Sequence, residues 1–589
     1  MSAIDHSRSL LGHDDGLPGH RWKEDIAART FNRRRLIWAT TISLIISISF
    51  IVLYSQWHSQ SQASASKMLQ YADPVQEPRV EGNLKSLLHP EDHVSREPAV
   101  RGLQWNITKA RMAPNGVRKD VFLINGQFPG PTIEARSGDI LEIEIFNFAE
   151  EEVSLHWHGL HMRGANHMDG PVGVTQCTIK HGRSFTYRIP TDEQEGTFWY
   201  HAHSEVQRAD GLYGGLVIHN PIAPTEASIH QYDSELLFLV GDWYHWPASK
   251  VLGMFMRMTS RFFHRPPALQ IADIDEPVPD SILINGIGHF ECSKATHGAP
   301  VECSEIAKPS LTLDKQLRMI QVDGGLPVAE IRDPVNSVGV LYPAERVDFV
   351  LSWLESAFDT ETVVTIALDK ENFLRPNPAL TPTQSFLLLP DSSARQLASE
   401  GRAVIPFNLR TAKGPSLPSP LPEAQQLFMV WSSITILNRL AQVPHGMINR
   451  TFWEPQPTPL ISTPRESWNE HQLVPWTGKE PHGYDFYVIA SFEGKGGWDY
   501  YDPWKPSRPP RGGPFNVDNP LRKDTVYVPP WGYVVIRFLA DNAGIWTLHC
   551  HILWHQGSGM AMAFQVMGDE QSGFSTEGVG KSAEQFCVA

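Results

Sequence analysis

Three short stretches hold most of the residues that could do chemistry. "LHWHG" carries His156 and His158, "WYHAHS" carries His201 and His203, and "TLHCHILWHQGSGM" carries His549, Cys550, His551, His555 and Met560. In a strand, alternate residues face the same side. Each His-X-His pair therefore aims both imidazoles one way, and six imidazoles can converge. Cys550 then turns to the opposite side, with His555 and Met560 close behind it. A thiolate, an imidazole and a weak thioether describe a blue electron-transfer copper site, whereas imidazoles alone suit coppers that meet oxygen. His549 and His551 join the two sites through a single peptide on either side of Cys550. One such pair in a strand is an incidental feature of many proteins, and a buried cysteine is an ordinary core residue. Three pairs built around a central cysteine are not. Zinc, the rival metal, takes a compact tetrahedral ligand set rather than six imidazoles from distant segments.

Strands and tight turns must position these residues. The chain has 589 residues, 44 of them Gly and 46 Pro, which favours a turn-rich β body over long helices. "VFLINGQFPGPTIEARSGDILEIEIFN" contains Asn-Gly and Pro-Gly turns followed by the period-two run "ILEIEIF". "FTYRIP", "TFWYHAH" and "GGLVIHNP" continue the pattern. A second β-rich stretch begins at "ELLFLVGDWYH", and a third at "QQLFMVWSSI". The expected fold is all-β, with three Greek-key β-sandwich domains over 99–222, 223–400 and 401–589. The formal charge of −15 excludes a nucleic-acid partner.

The N-terminus reads differently. Arg33, Arg34 and Arg35 precede an uncharged apolar run from Leu36 to Tyr54, long enough for one transmembrane helix. Basic residues on its N-terminal side place 1–35 in the cytoplasm. Residues 36–54 then form a signal anchor and 55–98 a polar stalk. The expectation is a single-pass type II membrane protein whose body lies in the lumen or outside the cell. Secretion after cleavage of a signal peptide is the alternative. Sequons at Asn106 and Asn449 are compatible with glycosylation there. Of five cysteines, Cys292 and Cys303 bracket a short loop as a local disulfide, and Cys177 with Cys587 makes a second pair. Cys550 is left over, and metal ligation accounts for it.

At these motifs the sequence resembles the multicopper oxidases: laccases, ascorbate oxidases and ferroxidases. "INGQFPGPTIEARSGD", "MDGPVGVTQCTI" and "DGLYGGLVIHNP" match as well, and the resemblance covers most of residues 100–568. It implies three cupredoxin-like domains, one type 1 copper, and a type 2 copper with a type 3 pair that together reduce O2 to water. It makes His156 a type 2 ligand. His158, His201, His203, His549 and His551 become type 3 ligands, and Cys550, His555 and Met560 type 1 ligands. Asp169 matches an acidic residue proposed to relay protons. Cys177 matches a cysteine that bridges to the C-terminal tail.

The family's fourth motif, His-Pro-X-His-X-His-Gly, is incomplete. "EPHGYDFYVIA" matches its end, which makes His482 a type 3 ligand. Counting back puts Glu480 at the type 2 position and Thr477 at the type 1 position, and the strand before them is nearly absent. Four coppers are expected for the family, or fewer here. Three readings of the gap stay open: a coding segment missing at a splice junction, a true deletion in a copper-poor descendant, or replacement by His471. The function implied is laccase-like, one-electron oxidation of phenolic or other aromatic substrates with O2, as in pigment or secondary-metabolite coupling. The alternatives are a membrane ferroxidase and an inactive cupredoxin-type scaffold.

Overall fold

The computed structural model describes residues 87–221, 230, 232–256, 276–294, 301–302, 317–329, 335–351, 363–368, 383–387, 405–436, 443–479, 487–494 and 511–588. The apolar run at 36–54 lies outside them. Among the described residues no helix is long and apolar enough to cross a membrane.

The described body is almost entirely β. Its N-terminal part contains β1 (Val100–Met112), β2 (Lys119–Ile124), β3 (Gly130–Arg136), β4 (Ile140–Asn147), β5 (Leu155–His158), β6 (Ser184–Pro190), β7 (Gly196–Ala202) and β8 (Tyr213–His219). They form two four-stranded sheets, ordered β2-β1-β4-β6 and β3-β8-β7-β5. β1 and β4 run parallel, so the chain crosses over rather than meandering. The period-two pattern decides which faces are buried. In β4, Leu141, Ile143 and Ile145 are buried, while Glu142 and Glu144 stay at the surface side. In β6, Phe185, Tyr187 and Ile189 do the same. Trp105, Trp157, Tyr187 and Tyr200 meet in the core between the sheets, with Trp105 and Tyr200 ring centroids 4.8 Å apart. Each such aromatic buries about 150–250 Å² of surface, and this core is the platform on which the site rests.

The middle part supplies β9 (Val240–Trp243), β10 (Ser281–Ile284), β11 (Leu317–Val322), β12 (Leu326–Pro327), β13 (Val347–Leu351), β14 (Val363–Ala367) and β15 (Thr383–Leu387). The C-terminal part supplies β16 (Ser432–Ile436), β17 (Pro444–Ile448), β18 (Tyr487–Phe492), β19 (Leu521–Arg522), β20 (Tyr533–Arg537), β21 (Gly544–His549) and β22 (Ala561–Val566). Among the described residues these pair only in ladders of two or three strands, unlike the N-terminal sandwich. The disulfide Cys177–Cys587 is formed, as expected, and fastens the helix Gly578–Val588 to the N-terminal part. Cys292 is also disulfide-bonded, while Cys303 lies outside the described residues.

One turn occurs three times, once in each part. Asn125, Asn285 and Asn449 all have left-handed backbones, with φ of 51°, 46° and 50°. Each side chain clamps a neighbouring strand from both sides. The Asn125 amide donates to Gln104 O (2.9 Å) and accepts from Asn106 N (2.7 Å). Asn285 does so with Leu237 O (3.0 Å) and Leu239 N (2.7 Å). Asn449 does so with Met429 O (3.0 Å) and Trp431 N (2.9 Å). In the first two turns the next residue is glycine, Gly126 or Gly286, also left-handed. In the third it is Arg450, at φ 67°, where a side chain is strained. The same Asn449 amide nitrogen is the atom a glycan at that sequon would modify, which would leave one N–H for the bond to Met429 O.

Replacing Arg450 with glycine relieves the strain. Arg450→Gly is expected to raise stability by about 1 kcal/mol in denaturant unfolding. A midpoint at or below that of the parent protein contradicts the reading of this turn.

Candidate metal centre

β5 and β7 lie side by side, with His156 directly opposite His201 and His158 opposite Trp199. This register puts His156, His158 and His201 on one face, with one ligating nitrogen of each lying within 4.8 Å of the others. His203 follows the end of β7, and its N–H donates to Ser154 O at 3.0 Å. The other half of the cluster arrives from β21, more than three hundred residues later. Asn166 fastens it there, donating to Ile545 O (3.1 Å) and accepting from Ile545 N (2.9 Å) while fully buried. The His549 ring then stands 5.1 Å from His203, and the His551 ring 5.0 Å from His158 and 5.3 Å from His201. All six imidazoles of the three pairs are thus brought together. Trp199 covers one side, with its ring 4.3 Å from that of His201.

For four of the rings the hydrogen bonds show which nitrogen carries the proton. Nδ1 of His156 donates to Asp169 O (2.8 Å), Nδ1 of His201 to Ala202 O (2.9 Å), and Nδ1 of His549 to Cys550 O (3.0 Å). A backbone carbonyl only accepts, so these rings carry the proton on Nδ1 and keep a lone pair on Nε2. Nε2 of His201 is buried without a partner. Nε2 of His549 faces Nε2 of His203 at 3.3 Å. His158 is reversed. Its Nε2 meets Thr525 Oγ1 at 3.2 Å, and its Nδ1 is the buried atom with no partner. Inward-facing lone pairs on buried, partnerless nitrogens are the donor set a copper cluster requires.

Burial keeps five of the six rings neutral. It pushes His158 down to about 4 and His549 to about 3, and holds His201, His203 and His551 well below the ordinary value. Burial alone would lower His156 too, but the Asp169 carboxylate beside it, 3.3 Å from Nδ1, lifts it above the usual range. The Asp169 carboxylate, buried beside His156, thus favours a proton on that imidazole.

Cys550 turns away from the cluster, as the alternation requires. It is the free cysteine among the described residues. Its Sγ lies 3.5 Å from Nδ1 of His555, and its N–H donates to Met560 O at 3.0 Å. His555 comes from the short helix Leu553–Gly557, and Met560 is buried among Ile448, Met562 and Phe564. The thiolate, imidazole and thioether form three corners of the expected soft site. The fourth is not supplied by Thr477. Ala563 N donates to Leu473 O, Gln565 N to Pro475 O and Thr477 N to Gln565 O, so residues 473–477 run along β22 away from Met560. Thr477 pairs five positions from Met560, roughly 16 Å along the strand. His471 packs against Phe452 with the rings tilted at 45°, and lies 3.9 Å from Glu454. His482 and Glu480 lie outside the described residues.

Two site residues carry no sequence signature of their own. Arg208 donates through Nη2 to His551 O (2.8 Å) and sets Nη1 2.6 Å from Nδ1 of that ring. Its turn is held by Asp210, which pairs with Lys119 Nζ (2.7 Å) and accepts from Ala248 N (3.0 Å). Glu276 sets a carboxylate oxygen 2.7 Å from Nε2 of His555, on the ring edge away from Cys550. Both are charged residues in turns or loops, and only the fold brings them to the site.

The neutral cluster has a pH signature. Unfolded, these histidines titrate near 6.5; folded, the buried ones refuse the proton until far lower pH. Between the two the unfolded chain binds protons that the folded chain does not, so stability falls as pH falls through that window. The copper-free protein is expected to lose unfolding midpoint steadily from about pH 7 to about pH 5. His549→Asn should flatten the slope by about 1.4 kcal/mol per pH unit. Identical slopes in the two proteins refute the assignment of a neutral ring at His549.

Comparison with known proteins agrees with this geometry. Residues 106–222 and 442–570 each match a family model described as multicopper oxidase. The chain is 30% identical over 499 residues to the iron transport multicopper oxidase fetC of Epichloe festucae, covering 78% of this chain and 75% of that one. It is 28% identical to Laccase-1 of Cryptococcus neoformans var. grubii (78% and 79% covered) and 27% identical to L-ascorbate oxidase of Cucumis sativus (79% and 89%). Among solved structures, Fet3p superposes with a TM-score of 0.62 at 20% identity, over 83% of this chain and 95% of that one. A laccase from Botrytis aclada gives 0.62 at 23% identity, over 84% and 92%. These likenesses show the fold as cupredoxin-like. With the converging imidazoles and the Cys550 corner, they establish that the chain belongs to the multicopper oxidase family, whose members are copper-dependent oxidoreductases.

Proposed function

We propose that this oxidase takes single electrons from small phenols or related aromatics and passes them to O2. The observation that carries the reading is Glu276 against Nε2 of His555. A phenol loses its proton as it loses an electron. A carboxylate at the outer edge of the imidazole nearest the thiol is placed to accept that proton, while the ring lies on the path by which the electron would reach a metal held at the Cys550 corner. Four phenols and one O2 then give four phenoxyl radicals and two waters, which balances atoms and electrons. The released radicals can couple, as in pigment or secondary-metabolite formation.

Copper, when bound, supplies the one-electron acceptor at the Cys550 corner and the oxygen-reducing centre at the imidazoles. The protein does the rest. His156, His158, His201, His203, His549 and His551 would hold the cluster metals, and Cys550, His555 and Met560 the other. The peptides on either side of Cys550 lead directly to His549 and His551. The bond from Nδ1 of His549 to Cys550 O adds a second connection. Asp169 holds a proton at His156, close to where water must form. The N-terminal run, if it anchors the chain, would tie this chemistry to a membrane surface.

Fe(II) oxidation is the second reading. The likeness to fetC favours it, and Glu276 is also an oxygen ligand that a hard cation would accept. Turnover of Fe(II) with little turnover of phenols would overturn the first reading in favour of the second.

Glu276→Gln separates proton acceptance from electron acceptance. It is expected to lower kcat/KM for phenols by about 100-fold. Oxidation of a donor that releases no proton, such as ferrocyanide, should change little. Equal losses for both donors would show that Glu276 shapes His555 rather than taking the substrate proton.

A further inference from the structure

Among the cluster imidazoles that hydrogen-bond to an oxygen (His156, His158, His201 and His549), His158 alone leaves Nδ1 free, and the cause lies outside its own sheet. Its Nε2 faces Thr525 Oγ1 at 3.2 Å and Asp524 Oδ1 at 3.6 Å. A hydroxyl can donate or accept, so Thr525 alone leaves the tautomer of His158 undecided. Thr525 is not alone. Its hydroxyl donates to Asp524 Oδ1 at 2.8 Å, which leaves only a lone pair for the imidazole. His158 must then carry its proton on Nε2, and Nδ1 is free.

Asp524 in turn is held by Arg346. The guanidinium donates to both carboxylate oxygens, at 2.7 and 2.6 Å. Two further N–H donors go to Thr197 O (3.2 Å) and Ala344 O (3.0 Å). Arg346 is buried, with Asp323 behind it at 3.6 Å, and Asp323 also accepts from the Arg346 N–H at 3.0 Å. Lys523 closes the group, bonded to Glu345 at 2.9 Å. The fit extends to Gly159, the residue after His158. A Cβ at that position would lie 2.6 Å from Nη2 of Arg346 and 3.1 Å from Asp524 Oδ2. The guanidinium can sit beside His158 only because that position is glycine.

We propose that Arg346 is a positioning residue of the copper cluster, selecting through Asp524 and Thr525 which nitrogen of His158 is free for the metal. The relay is directional. Arginine only donates, the carboxylate only accepts, the hydroxyl is thereby oriented, and the imidazole receives its tautomer. Arg346 comes from the middle part of the chain, which contains none of the metal-ligand candidates. That part thereby takes a share in building the cluster. The inference rests on copper chemistry and is independent of which donor the enzyme oxidises.

The test uses the full chain, stripped of copper and labelled with 15N-histidine. Imidazole nitrogen signals report the tautomer, and loss of one set in His158→Ala identifies His158. The parent protein should show His158 protonated on Nε2 alone, and Thr525→Ser should keep that state. Thr525→Val and Arg346→Met should each give a mixture. Copper competition should then show about 10- to 100-fold weaker binding in Arg346→Met, with Arg346→Lys in between. A single Nε2-protonated tautomer with parental copper affinity in Arg346→Met overturns the proposal. Should that variant fail to fold, an unchanged tautomer in Thr525→Val overturns it equally, because this swap removes one hydroxyl and keeps the shape.

Discussion

Six imidazoles share one pocket because five of them, all but His156 beside Asp169, are held neutral, and much else in the site follows from that constraint. A second charge in this cluster would face both desolvation and its neighbours, so burial drives the rings to the uncharged form. A neutral imidazole has one donor and one acceptor. For His156, His158, His201 and His549 the protein satisfies the donor with a carbonyl or an oriented hydroxyl, and at His158 and His201 it leaves the acceptor bare. Buried nitrogens without partners, such as Nε2 of His201 and Nδ1 of His158, cost about 1–3 kcal/mol each in the metal-free protein. The sandwich beneath them carries that cost, and metal binding returns it. Folding and copper loading are coupled for this reason.

The same constraint explains how the chain is tied together. The cluster needs β5 and β7 from one end and residues 549–551 from the other, and neither half is complete alone. Asn166 clamps Ile545 at the start of the last strand pair, and Cys177–Cys587 fastens the tail. Arg346 and Asp524 lock a third and a fourth segment against Gly159. These ties are polar or covalent, and each fixes a position more than it adds apolar burial. A cluster whose lone pairs must meet within a few ångströms needs that kind of restraint.

Much of this was legible in the sequence, for a physical reason. Strand periodicity places His156 with His158 and His201 with His203, and the same rule turns Cys550 away from its neighbours. The Cys177–Cys587 pairing followed from cysteine count and resemblance. Arg208, Glu276, Arg346 and Asp524 were not legible. Their roles depend on where loops from separate segments meet, and a charged residue in a loop has no period to reveal it. The Asn125, Asn285 and Asn449 turns were only half legible. Asn-Gly marks a turn at the first two, but Arg450 hides the third.

Thr477 shows where linear counting stops being a structural argument. Counting back from His482 assumes that residues 477–482 continue one strand with a fixed stagger. The hydrogen bonds from Leu473 to Thr477 belong instead to the edge of β22, ending opposite Gln565. β18, which follows His482, belongs to another ladder with β19 and β20. A residue on the first ladder cannot keep its count relative to the second, because the two strands no longer share a register. Thr477 is therefore excluded from the Cys550 corner by its position as well as by its side chain. Placing a histidine there would not rebuild the corner, since the strand carrying it runs the wrong way along β22.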